Sequence, residues 1–273
     1  MAKSIVKRME KIKKTSLHKK ESEDAYIINK ELDIYGVLDG ATPMDNFKDE
    51  NGHNGAYLAA NLFKDYFESL QRPAFIHEEV IRANNLLKSK MKHYQIDLSK
   101  KDRLWCTCVS VIQIIDDLLV YASLGDTMII ACDDQGQYNV LTINTVKNIN
   151  CRADFNRKIN RYKGENIPDE TFFTNKQNKI RYNRFMANKP NGYSVANGME
   201  EVKNTIQYGM LDTKNLKYVL IMSDGLFDLE EDIKTLFHEV INKGLAAYVE
   251  QLTAWEQEQG LSSDDKTAVL LHF

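Results

Sequence analysis

Short β-prone apolar runs and longer segments with helical spacing come in separate blocks along this chain. Runs rich in β-branched and aromatic residues predict strands at "SIVKRMEKI" (4–12), "DAYIINK" (24–30), "LDIYGVLDG" (32–40), "CTCVSVIQII" (106–115) and "LLVYASLGD" (118–126). Five more follow at "MIIACDD" (128–134), "YNVLTI" (138–143), "GYSVANG" (192–198), "KYVLIMSDG" (217–225) and "KTAVLLHF" (266–273). Polar turns at Asp116-Asp117 and at 133–137 predict antiparallel hairpins. Apolar residues recur at three- and four-residue spacing over 54–70, 77–94, 231–243 and 245–259, which predicts helices. Strands in blocks and helices in pairs argue against alternating βαβ units. They predict an α+β fold of antiparallel sheets covered by helix pairs. No internal repeat or Pro/Gly/Ser-rich linker divides the chain, so a single domain is expected over 1–273.

Composition narrows the class only a little. The chain is 43% hydrophobic and 27% charged, ordinary for a soluble globular protein, and its four prolines and thirteen glycines exclude low-complexity disorder. The opening "MAKSIVKRMEKIKKTS" lacks the apolar core of a secretory signal, and no segment approaches the roughly 18 apolar residues of a membrane span. Cys106 and Cys108, two apart in a strand-like run, suit packing on one face. With Cys132 and Cys151 they show no zinc-type spacing, which reads as reduced thiols in a cytoplasmic protein. A formal net charge of −3 gives no global case for nucleic acid. Residues 147–190 depart from that average, with eleven Lys/Arg against four Asp/Glu and six interleaved aromatics. The stretch reads as a helical or looped insertion with a solvated basic face, as a flap attracting phosphorylated ligands, or as a nucleic-acid contact.

The acidic residues carry the chemistry. Burying an unpaired carboxylate typically costs several kcal/mol, so an Asp at the tip of a core strand must be exposed, hydrogen-bonded or bound to a cation. Asp-Gly is also an ordinary turn dipeptide. Here acidic residues stand at four predicted strand edges: Glu23 and Asp24 in "SEDAY", Asp39 in "LDGAT", Asp224 in "SDGLFD", and Asp264 and Asp265 in "SSDDKT". If the strands are neighbours in two facing sheets, these carboxylates converge in one cleft and repel each other unless cations bind between them. Hard oxygen ligands suit Mg²⁺ or Mn²⁺. Two such ions would hold a water and orient it for in-line attack on phosphorus.

In order along nearly the whole chain, Glu-Asp-Ala, a strand ending in Asp-Gly before two helices, Gly-Asp-Thr, Ser-Asp-Gly-Leu-Phe-Asp and a terminal Asp-Asp-x-Thr resemble the metal-dependent serine/threonine protein phosphatases of the type 2C class. The resemblance implies a four-layer α-β-β-α sandwich with a binuclear Mg²⁺ or Mn²⁺ centre between the sheets, acting on phosphorylated protein. It implies that Asp39 bridges both ions, that the Gly40 carbonyl binds one, and that Asp224 and Asp264 complete the other. Asp264 is preferred to Asp265 because the family's ligand is followed by Asn or Asp and then x-Thr, a register that Thr267 fits. Glu23 and Asp24 match the family's early acidic pair, which supports the metal directly or through waters. Asp126 matches a position that helps bind a third, weaker ion in relatives, or is a hairpin residue. Lys19 stands where relatives place an arginine that grips the substrate phosphate, with His18 and Lys20 as neighbours able to do the same; plain solvated lysines are the other reading. Lysine keeps the charge and loses the bidentate fork. Ala41 replaces a histidine that some relatives use as an acid, and His53 reads as a surface residue. The loop "ATPMDNFKDENGHNG" (41–55) departs from the family's glycine-rich continuation, and 147–190 falls where the family varies its flap. A catalytically silent phosphoprotein-binding module on the same fold is the alternative. The oligomeric state is open.

Overall fold

The computed structural model describes residues 5–41, 44–227 and 232–273. Ser4, Thr42, Pro43, Asp228 and Glu231, which fall within predicted strand, loop, motif or helix segments, lie outside the described residues.

Ten strands form two antiparallel five-stranded sheets. The first sheet contains β1 (Arg8–Lys14), β6 (Met128–Asp133), β7 (Tyr138–Val140), β9 (Leu216–Met222) and β10 (Lys266–His272), in the order β1-β10-β9-β6-β7. The second contains β2 (Ala25–Asn29), β3 (Ile34–Ala41), β4 (Cys106–Ile115), β5 (Leu118–Leu124) and β8 (Gln207–Asp212), in the order β2-β3-β4-β5-β8. Helices α1 (Gly55–Glu68) and α2 (Ile76–His93) cover the second sheet, and α5 (Ile233–Lys243) and α6 (Leu245–Glu258) cover the first. Between them, α3 (Ile149–Tyr162) and α4 (Lys176–Phe185) occupy the basic stretch.

Three apolar layers explain why the central strands read as continuous hydrophobic runs. Successive side chains point to opposite faces, and both faces of these strands are covered. In β10, Ala268 and Leu270 face α5 and α6, while Val269 and Leu271 face the other sheet. Leu220 and Met222 against Val219 and Ile221 repeat the pattern in β9. In β3, Ile34 and Leu38 pack under α1 and α2, and Tyr35 and Val37 enter the inter-sheet layer. The expected α+β sandwich of two antiparallel sheets flanked by helix pairs is the architecture observed.

Two expectations need correction. "GYSVANG" forms no strand: it is held by the single bridges Ala187–Tyr193 and Thr107–Ala196 and by side-chain amides. The Asn188 Nδ2 donates to the Val195 carbonyl at 2.8 Å, and the Val195 N–H donates back to Asn188 Oδ1 at 2.9 Å. One asparagine thus does the work of a strand neighbour. The strand present instead, β8, was not expected from "QYGMLD", whose polar and glycine positions fit an edge strand with one exposed face.

Within 147–190 the basic and aromatic residues pack on each other. Arg157, almost fully buried, makes a bidentate contact to Glu170 (2.6 Å from Nη2) and lies over the rings of Phe173 (4.2 Å) and Tyr182 (5.1 Å). Arg161 also binds Glu170, Lys158 binds Asp154, and Arg181 binds Asp102 outside the stretch. At least four of the eleven cations that suggested a nucleic-acid contact are thus paired with the protein's own carboxylates.

Candidate active site

The acidic strand ends meet. Asp39 is the sixth residue of β3, and its backbone carbonyl accepts from Thr107 Oγ1 at 3.0 Å. Asp224 begins a single 3₁₀ turn directly after β9. Beyond the last pairs of β9 and β10, the Ser223 N–H donates to the Thr267 carbonyl (2.9 Å) and the Thr267 N–H to Ser223 Oγ (3.0 Å), so the turn is sewn to the start of β10. Asp126 lies in the tight connection from β5 to β6, where the chain passes between sheets. Oxygens of Asp39, Asp126 and Asp224 all lie within 4.8 Å of one another.

Glycine makes this convergence possible. A Cβ on Gly40 would lie 2.4 Å from the Glu23 carbonyl oxygen, and one on Gly225 would lie 1.9 Å from the Asp265 carbonyl oxygen. Each Asp-Gly therefore marks a place where a neighbouring acidic segment presses against the backbone. That contact distinguishes these dipeptides from ordinary turns.

A cavity of about 260 Å³ opens above the three aspartates. Asp39, Asp126, Asp224 and Asp264 line it together with Gly40 and Ala41, and Lys19 stands on one side. The rest of the wall comes from β4 (Cys108), from Tyr193 and Val195, and from the segment carrying α3 and α4: Val146, Ile149, Ile180, Asn183 and Arg184. Four carboxylates face two cations, Lys19 and Arg184, among the described residues of this lining.

Glu23, Asp24 and Asp265 are outside the lining, and Lys19 ties two of them to it. The Lys19 ammonium is clamped by Glu23 (2.9 Å), Asp265 (3.0 Å) and Asp264 (3.1 Å). Burial alone would lower its pKa, but these carboxylates outweigh burial and hold it charged. Glu23 also accepts from the Asn54 amide, and Asn54 caps α1 by accepting from the Tyr57 N–H. Asp265 is buried and accepts from the Ser16 and Glu23 N–H groups, both at 2.8 Å, while the Asp264 side chain is largely exposed to the cavity. Asp24 is buried below the floor, and its Oδ2 has no hydrogen-bond partner. His53 lies outside the lining, stacked on Tyr57 and paired with Asp49 and Glu21. His18 and Lys20 are likewise outside it.

Electrostatics shows a site short of positive charge. Burial, then repulsion from Asp265, raises Asp24 to about 8. Burial, then the Asp224, Asp24 and Asp126 charges, raises Asp39 well above the carboxylate range. Burial, then Asp126, raises Asp224 to about 7, and burial raises Asp126 as well. Asp39 and Asp224 are close enough to share a proton. Burial, then Asp126 and Asp39, pushes the Cys108 thiol far up, so it stays neutral and offers no thiolate to a soft metal. A lining with four carboxylates against two cations, and no thiolate, fits a hard divalent cation such as Mg²⁺ or Mn²⁺.

Sequence motifs pointed to the acidic floor and to Lys19. They did not point to Asn183 or Arg184, whose only signal was the basic, aromatic character of the insertion, or to Tyr193, which lies in the expected strand 192–198.

The comparisons with known proteins agree with this geometry. No curated protein matches the chain significantly in sequence. Among solved structures, the serine/threonine phosphatase Stp1 from Staphylococcus aureus superposes with a TM-score of 0.62 at 16% identity, covering 99% of this chain and 96% of that one. The Mycobacterium tuberculosis serine/threonine phosphatase PstP/Ppp gives 0.62 at 14% identity, over 97% and 98% of the two chains. The catalytic domain of PstP in complex with two manganese ions gives 0.60 at 14% identity, over 97% of each chain. At such identities the likeness establishes the fold alone. The family model for protein phosphatase 2C matches residues 18–264. This chain therefore belongs to the protein phosphatase 2C family.

Proposed function

We propose that the protein hydrolyses phosphoserine and phosphothreonine esters on protein substrates at the acidic cavity, with two Mg²⁺ or Mn²⁺ ions as cofactors. The observation that carries this reading is the meeting of Asp39, Asp126, Asp224 and Asp264, from separate parts of the chain and from both sheets, on the wall of one cavity. With the two lining cations, their full ionisation leaves a net double negative charge facing any incoming phosphate dianion. Two divalent ions would reverse that sign and supply the activated water that such slow hydrolyses require.

In this reading Asp39, the Gly40 carbonyl, Asp224 and Asp264 hold the two ions, and Asp126 joins Asp224 around a third, weaker one. Glu23 and Asp24 support the floor from behind, with Asn54 and Lys19 fixing the Glu23 carboxylate. Lys19, held charged at the cavity edge, attracts and orients the substrate phosphate. Ala41 offers no acid, so the leaving oxygen takes its proton from solvent in the cavity. The whole chain acts as one phosphatase unit, and the cysteine pattern, without disulfide or zinc-type spacing, supports a cytoplasmic location. Among the described residues no helix is long and apolar enough to cross a membrane.

The test is release of phosphate from a phosphothreonine peptide with Mn²⁺, and its loss with a chelator. Asp39→Asn is expected to lower the rate at least about 100-fold, as loss of a group that stabilises charge in the transition state does elsewhere. Full activity of Asp39→Asn refutes the metal assignment. Ala41 at a cavity-lining position favours one second reading, a silent phosphoprotein-binding module. Tight Mn²⁺ binding without turnover of any phosphopeptide would establish that reading.

A further inference from the structure

The cavity's second cation has no role in the mechanism above. Arg184 lies in the last turn of α4, in the insertion, and lines the same cavity as Asp39, Asp126 and Asp224. It stands on the Asp126 side: its charge acts on Cys106 and Cys108, and Cys108 hydrogen-bonds Asp126. Lys19 stands on the Asp264 side. The acidic floor is thus flanked by an ammonium at one end and a guanidinium at the other.

The two cations differ in what they offer an oxyanion. Lys19 is a point charge already bound to three carboxylates. Arg184 brings to the cavity wall a planar guanidinium fork, whose geometry matches phosphate oxygens bidentately.

We propose that Arg184 is a substrate-binding residue that grips the phosphoryl group from the insertion side of the cavity. Phosphate recognition is then shared between Lys19 on the sandwich and Arg184 on the insertion. The inference rests on the phosphatase reading for its substrate, but the anion site can be tested without turnover.

Calorimetric titration with inorganic phosphate, at saturating Mn²⁺, is the primary measurement, on wild type, Arg184→Met and Arg184→Lys. Methionine keeps much of the apolar stem and removes the fork. Phosphate affinity is expected to fall about tenfold or more in Arg184→Met, in line with the loss of a charged hydrogen bond, with Arg184→Lys intermediate. Mn²⁺ affinity and thermal midpoint stay at wild-type values, and KM for a phosphothreonine peptide rises by a similar factor. Wild-type phosphate affinity in Arg184→Met overturns the proposal, as does a parallel loss of Mn²⁺ affinity, which would make the residue a structural support. If the methionine variant does not fold, Arg184→Lys decides: weaker phosphate binding at unchanged Mn²⁺ affinity supports the site, and unchanged phosphate binding overturns it. No phosphate binding by wild type also overturns it. Arg184-dependent phosphate binding without turnover of any phosphopeptide sinks the hydrolase reading and leaves this site standing.

Discussion

Neutralising Asp224 should change how the metal-free protein responds to pH. In the folded chain this carboxyl is carried from the ordinary 3.8 to about 7, by burial and then by Asp126. Because the folded chain keeps a proton that the unfolded chain has already released, stability falls as pH rises between the two values. At 1.36 kcal/mol per pH unit the full effect is roughly 4 kcal/mol, of which more than half, about 2–3 kcal/mol, is lost between pH 5 and pH 8. For a chain of this size that is a drop of roughly 5–10 °C in melting temperature. Asp39 and Asp24 are displaced in the same direction and add to the slope. Thermal melts in excess chelator at about pH 5 and pH 8 should therefore show wild type losing several degrees and Asp224→Asn losing clearly less. Mn²⁺ at about a hundred times its dissociation constant should return roughly 2.7 kcal/mol to wild type at pH 8 and far less to the variant. Parallel curves for the two proteins across this range would refute the reasoning, because the repulsion at the floor would then not be felt by the fold.

Two further outcomes test the backbone and the insertion. Gly225→Ala places a methyl group 1.9 Å from the Asp265 carbonyl oxygen, so the Asp224 turn and the Asp264–Asp265 segment must separate by about 1 Å. Calorimetry should show weaker Mn²⁺ binding, melting should show about 1–3 kcal/mol of lost stability, and phosphate release should fall roughly 100-fold; wild-type Mn²⁺ affinity would contradict this. Arg157→Met removes the cation that joins Glu170, Phe173 and Tyr182. Limited proteolysis should then cut within 147–190 at least about tenfold faster, while stabilisation by Mn²⁺ persists; unchanged cleavage would show that the segment is held by something else.

Much of the sandwich was legible because its strands are buried on both faces and its helices on one. "VLIM" at 219–222 and "AVLL" at 268–271 can only be core, and the spacing in 54–70 can only cover a sheet. The segment 192–198 misled because its apolar residues are buried as in a strand, while its hydrogen bonds go to Asn188 and Asn84. Side-chain amides that replace a ladder leave no periodic trace. β8 was missed for the opposite reason: an edge strand with Tyr208 and Met210 exposed has too little apolar contrast. The acidic floor was readable because carboxylates at core strand ends demand a partner. Arg184 was not, since one arginine among eleven basic residues becomes distinctive only when α4 carries it to the cavity.

The aspartates of the floor belong to different halves of the sandwich: Asp39 to the sheet beneath α1 and α2, Asp224 to the one beneath α5 and α6, and Asp126 to the link between them. Neither half alone brings the three carboxylates together, so a divalent ion held as proposed would recognise only a chain whose two halves have docked in register. Cation binding would then act as a proofreading step on tertiary assembly. A molecule with one sheet formed and the other loose would have nothing to offer the ion and would gain none of its stabilisation.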